Sequence, residues 1–77
     1  MNPENLNKII GINIKKYRII NNIKLKELSK LTGISLITLI NIERNTINRE
    51  ITIQELYKIS IVLNITVNKL LENNYDQ

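Results

Sequence analysis

The chain contains no cysteine and no histidine, and its seven acids are scattered, so thiolate chemistry and histidine-metal sites have no residues to work with and no paired carboxylates stand out. Only two glycines occur in 77 residues, and no glycine-rich phosphate loop is present. No catalytic residue, cofactor or metal ligand is expected, and an enzyme is not expected either. What remains is ionic and hydrogen-bonding chemistry. From Met1 to Arg49 there are nine bases (Lys8, Lys15, Lys16, Arg18, Lys24, Lys26, Lys30, Arg44 and Arg49) against three acids (Glu4, Glu27 and Glu43), a net of +6. From Glu50 onward two bases, Lys58 and Lys69, face four acids, Glu50, Glu55, Glu72 and Asp76, a net of −2. A polyanion such as DNA would be drawn to the first part, because phosphate contacts supply affinity that does not depend on base sequence. A charge excess of this size also occurs on an ordinary solvated surface, so its meaning depends on the scaffold beneath it.

That scaffold has little material to use. Seventy-seven residues allow one domain, read here as residues 1–77 with an ordered core from about 6 to 72. With no disulfide available, stability must come from apolar burial, and 43% of the residues are apolar. Seventeen isoleucines and thirteen asparagines suggest an A+T-rich coding sequence more than a functional demand. The first residues lack the features of a secretory signal, and no apolar run approaches the roughly 18 residues of a membrane span, so a cytoplasmic location is expected.

Hydrophobic periodicity divides the chain into five helices. Leu6, Ile9, Ile10, Asn13, Ile14, Tyr17 and Ile20 fall on one arc at helical spacing, with Ile12 and Ile19 pointing away, which predicts a first helix from about Leu6 to Asn21. Asn21 and Asn22 tolerate left-handed geometry and would end it. Lys24 to Thr32, carrying Leu25, Leu28 and Leu31, predicts a second helix stopped by Gly33. Ser35 is placed to cap a third, running to about Arg44. After a polar stretch from Asn45 to Ile51, Thr52-Ile-Gln-Glu55 matches a capping box and announces a fourth helix with core positions Ile53, Leu56, Ile59, Ser60 and Leu63. Thr66 can cap a fifth carrying Val67, Leu70 and Leu71, after which 73–77 reads as a frayed tail.

Two helices joined by a tight turn need a small residue at their approach, a glycine in the turn and an apolar residue after it, and Ser29, Gly33 and Ile34 meet those needs. The stretch from Leu28 to Asn45 resembles the helix-turn-helix signature of the phage-repressor, or XRE, family. Ile10-Gly11, Ile14 and Arg18 resemble the family's first helix. Leu56, Ile59, Ser60, Leu63, Ile65, Thr66, Leu70 and Leu71 resemble its closing pair. The resemblance implies an all-α, five-helix, lambda-repressor-like domain with the helix-turn-helix formed by helices two and three. It implies a sequence-specific transcriptional regulator of double-stranded DNA, a repressor by default, with residues 35–44 in the major groove. It also implies a structural ion pair between Arg18 and Glu43, which would fix how two helices sit while adding little net stability.

By the same resemblance, Ser35, Leu36, Ile37, Thr38 and Asn41 would face base edges, with Lys26 and Arg44 near phosphates. The chain departs from the family at several of these positions. Leu36 and Ile37 stand where Gln, Lys or Arg is common, Leu25 stands where a phosphate-contacting glutamine is common, and Lys24 replaces the usual small cap. Phosphate positioning would then rest on Lys24, Lys26, Arg44, Arg49 and the amides opening helix three. On a helical wheel Leu36, Ile37, Ile40, Asn41 and Arg44 share the face opposite Leu39 and Ile42, leaving three aliphatic side chains in water. Such a face fits thymine methyl groups in an A+T-rich operator, with Asn41 on an adenine edge. The alternative is a regulatory protein partner, which would make the chain a protein-interaction module or anti-repressor acting through Leu36, Ile37 and Ile40. The lysines of helix two and Arg44 would then have little purpose, which favours DNA. Family members act as dimers on two half-sites. A homodimer contact would come from Val67, Leu70 or Tyr75, or from a further C-terminal segment.

Overall fold

The computed structural model describes residues 3–73, and within them the chain forms five helices and no strand. Residues 74–77, including Tyr75, lie outside the described residues. The elements are α1 (Pro3–Ile20), α2 (Leu25–Thr32), α3 (Leu36–Glu43), α4 (Ile53–Leu63) and α5 (Val67–Leu71). Helix α1 starts three residues earlier than its apolar arc, at a proline whose missing N–H costs nothing in a first turn. Ile10, Ile14, Leu28, Leu39, Ile42, Ile59, Leu63 and Leu70 are fully buried, so every helix contributes to one aliphatic core.

The helix ends follow the local chemistry of the sequence. Ser35 accepts the Thr38 amide, Thr66 accepts that of Lys69, and Thr52 and Glu55 close the expected capping box reciprocally. Asn22, Asn45 and Asn64 take left-handed conformations with φ of 57°, 58° and 57°, each just beyond a helix. Gly33 does the same after α2 at φ 76°, its amide bonded to the Ser29 carbonyl. A Cβ at Gly33 would meet nothing within 4 Å, so only backbone strain opposes a side chain there. Gly33→Ala should therefore cost about 1–2 kcal/mol in urea unfolding, and Gly33→Asn distinctly less. Equal losses for the two variants would show that left-handed strain is not what the glycine relieves.

Glu55 has a second partner beyond the cap. Arg49 donates to both its carboxylate oxygens at 2.9 Å, and that hydrogen-bonded pairing holds the Glu55 pKa down at about 2. A depressed carboxyl pKa gives stability that is present above the ordinary value of 4.5 and is lost as pH falls toward about 2. Wild type and Glu55→Gln, which keeps the cap, should differ in urea midpoint at neutral pH and converge across that window. A gap that stays constant with pH would show that the ion pair adds nothing.

Several apolar positions differ from expectation. Ile20, Leu31 and Ile53 are exposed, Ile20 at 66% and Ile53 at 68%. Ile20 ends α1, beyond the elements that cover its arc. Ile53 belongs to the row Ile53, Tyr57, Ile61, which drifts off the buried row Leu56, Ile59, Leu63. Leu31 is similarly offset from Leu28 and Thr32 on α2. Leu70, considered as a dimer contact, is wholly buried, while Val67 is half-buried and packs against the core. Asn13, on the inner arc of α1, is buried and donates from Nδ2 to the carbonyls of Leu70 and Glu72 at 2.9 and 2.8 Å. It thereby satisfies two carbonyls at the end of α5 that have no partner within the helix.

Candidate nucleic-acid interface

Helix α3 is held against α1 by a close approach and an ion pair. A Cβ on Gly11 would overlap the backbone carbonyl oxygen of Ile42 and lie 3.2 Å from its carbonyl carbon, so no side chain fits between the two backbones there. About two turns further along α1, Arg18 reaches the end of α3. Its Nε donates to Glu43 Oε2 at 2.8 Å, its Nη2 to Oε1 at 3.1 Å, and its Nη1 to the Ile23 carbonyl at 3.0 Å. The fork fits the carboxylate edge to edge, and a third N–H is satisfied by the loop before α2. Gly11 and the Arg18–Glu43 pair thus fix both the distance and the angular setting of α3.

The turn between α2 and α3 is fixed from the other side. Ser29 Oγ donates to the Ile34 carbonyl at 2.6 Å, and Thr32 Oγ1 donates to the Leu28 carbonyl at 2.7 Å while accepting the Ile34 amide at 3.1 Å. Ile34 itself is buried at the corner. Ser29, Gly33 and Ile34 are recognisable in the sequence, whereas Thr32 is not. Its sequence signal is only that a threonine one residue before a turn glycine can bond across the turn.

On the outer face of α3, Ile37, Asn41 and Arg44 follow each other at positions i, i+4 and i+7, opposite the buried Leu39 and Ile42. Ile37 is 67% exposed and Arg44 is exposed. Leu36 and Ile40, expected in water, are half-buried, so the exposed aliphatic surface is one isoleucine and not three side chains. The half-buried state reflects their places at the flanks of the wheel, where the α3 surface turns toward the body of the domain. Ser35 and Thr38 are engaged with each other: the Ser35 hydroxyl accepts the Thr38 amide at 3.1 Å and donates to its hydroxyl at 2.8 Å. Asn41 Oδ1 accepts the Thr46 hydroxyl at 3.0 Å, which leaves Nδ2 without a partner among the described residues. The Thr46 amide also closes on the Asn41 carbonyl at 2.8 Å, so the loop after α3 sets the orientation of the Asn41 amide.

Of the four cations assigned to phosphates, three fit that role by exposure. Lys24, Lys26 and Arg44 are exposed and form no ion pair with an acid among the described residues. Arg49 does not fit. Its guanidinium is committed to both oxygens of Glu55 and to the Glu50 carbonyl, because the capping carboxylate lies within reach of the loop. Lys30, exposed in the last turn of α2, adds positive charge to the same pair of helices. Lys24, Lys26, Lys30 and Arg44 thus outnumber the one exposed acid of α2, Glu27, and give a net cationic surface beside a helix face that is part aliphatic and part amide.

The helix-turn-helix family model matches residues 14–70. Among solved structures, the chain is similar to SinR, the master regulator for biofilm formation, in complex with DNA, with 40% identity, a TM-score of 0.77, and coverage of 82% of this chain and 98% of that one. It is also similar to a chain of the SinR–SinI protein complex, with 37% identity and a TM-score of 0.79 over 87% of this chain, and it spans 64% of that chain's length. A hypothetical transcription factor from Neisseria, NHTF, shares the fold, with a TM-score of 0.84 at 18% identity over 99% of this chain and 85% of that one. No curated protein gives a significant match.

Proposed function

Since the chain belongs to the XRE-type helix-turn-helix family, we propose that it is a transcriptional regulator that binds double-stranded DNA with α3 in the major groove. The observation that carries the reading is the outer face of α3, where Ile37, Asn41 and Arg44 form one stripe with Lys24 and Lys26 exposed on the helix before it. The cations would position the domain on phosphates, and Ile37 and Asn41 would meet base edges. The similarity to SinR in its complex with DNA extends over nearly all of that chain, which supports the same use here. Repression from an A+T-rich operator is the finer form of the proposal, with Asn41 Nδ2 offered to the N7 acceptor of adenine and Ile37 to thymine.

A regulatory protein partner on the same face is less well supported. The similarity to a chain of the SinR–SinI complex supports such a partner, but on the outer face of α3 the exposed aliphatic surface is limited to Ile37, with Leu36 and Ile40 half-buried. Operator binding as a homodimer on half-sites roughly 34 Å apart is part of the proposal. The contact would not involve Leu70, which no solvent reaches.

Fluorescence anisotropy on a random duplex and on a selected duplex, over a salt series, tests these roles. Lys26→Ala should weaken both duplexes alike and lower the salt slope by about one. Asn41→Ala should cost about 1–3 kcal/mol on the selected duplex and little on the random one. Absence of binding at low salt would overturn the proposal. Equal losses for Asn41→Ala on both duplexes would remove Asn41 from base reading.

A further inference from the structure

Resting on the DNA-binding reading, we propose that Ile37 reads the C5 methyl group of one pyrimidine in the major groove, so that binding responds to cytosine methylation as well as to thymine. The N-terminal residues of a recognition helix are the ones that reach base edges. In this α3 the polar side chains there are already engaged, Ser35 with Thr38 at 2.8 and 3.1 Å. Leu36 is half-buried at the flank. Ile37, 67% exposed, is the side chain presented, and it has neither donor nor acceptor.

Apart from small ring C–H groups, the major-groove edge of DNA is made of donors and acceptors, and its one sizeable apolar group is the methyl on C5 of thymine. An isoleucine pressed on a donor or acceptor strips it of water without replacing the bond, which is unfavourable. Pressed on a methyl group, it removes apolar surface on both partners from water. Ile37 therefore gains most from that methyl group, which is a substituent rather than a base. Cytosine carries a hydrogen at the equivalent ring carbon, and 5-methylcytosine carries the methyl group there. A C5-methylated cytosine should accordingly recover part of what thymine provides, even though its neighbouring exocyclic group is a donor and not an acceptor. Burial of one methyl group corresponds to about fourfold in Kd.

The experiment uses the full chain and duplexes selected from a random library. Each thymidine of the selected duplex is replaced in turn by deoxyuridine, and binding is followed by anisotropy. At one position per half-site the replacement should weaken wild type about fourfold, and a 5-methylcytosine·guanine pair there should bind about fourfold tighter than cytosine·guanine. Ile37→Ala, with its folding checked by circular dichroism, should lose the same factor and then bind thymine and uracil duplexes equally. Equal wild-type affinity for thymine and uracil at every position overturns methyl reading while leaving DNA binding intact. Continued sensitivity to uracil in Ile37→Ala transfers the role to another side chain and overturns the assignment. Failure to bind any duplex overturns instead the reading on which the proposal rests.

Discussion

Glu43→Ala should bring the domain close to unfolding, with a loss of about 3–5 kcal/mol. The carboxylate takes two donors of the Arg18 guanidinium, and the two side chains are only 7% and 14% exposed. Removing it leaves a largely dehydrated cation with the Ile23 carbonyl as its remaining acceptor. For domains of this size total stability lies toward the lower end of about 5–15 kcal/mol, so the variant should melt near ambient temperature. Most of that cost comes from orphaning the arginine and not from losing an attraction. The double replacement Arg18→Met with Glu43→Leu should therefore recover much of the loss, because an apolar pair needs no solvation. Urea unfolding of the two singles and the double separates these contributions. A loss below about 1 kcal/mol for Glu43→Ala would place the pair with exposed surface bridges.

Gly11→Ala should also destabilise, although alanine is worth about 1 kcal/mol more than glycine in a helix interior. The added methyl group would overlap the carbonyl of Ile42, which belongs to the backbone of α3 and cannot rotate away. Relief requires α1 and α3 to separate, at a net cost of about 2–3 kcal/mol by analogy with overpacked cores. Because α3 is the helix that moves, affinity for a selected duplex should fall more than the folded fraction explains. Urea unfolding and anisotropy on the same samples check both effects. A variant as stable as wild type would mean that the two backbones do not approach as closely as described.

The features legible in the sequence are those whose cause is local. The Thr52–Glu55 box, the Ser35 cap and the left-handed Gly33 depend on residues at most three apart, and each can be read from residue type. What could not be read depends on which neighbour covers a side chain. A helical wheel gives the direction of Ile20, Leu31 and Ile53 but not whether another helix stands there, and all three are exposed. With isoleucine so abundant, apolar identity by itself carried less information than usual. The same limit made Leu36 and Ile40 look solvent-facing, and it hid the capture of Arg49 by Glu55, six residues away across a loop. At the interface the fold signature located α3. The engagement of Ser35 with Thr38 and of Asn41 with Thr46, which determines what the helix can offer a base, emerged only from the side-chain geometry.

The Asn13 clamp also sets where the chain leaves the domain. Gly11 and Asn13 are two residues apart on α1, hence about 160° apart around its axis. Gly11 faces the backbone of α3, and Asn13 holds the Leu70 and Glu72 carbonyls. Anything attached beyond Glu72 therefore starts from the flank of α1 opposite the one that seats α3, with about 10 Å of helix between them. A fluorophore or fused domain joined there begins its path behind the protein, away from any duplex lying on α3, and the domain can be labelled or tethered at that end without obstructing its front.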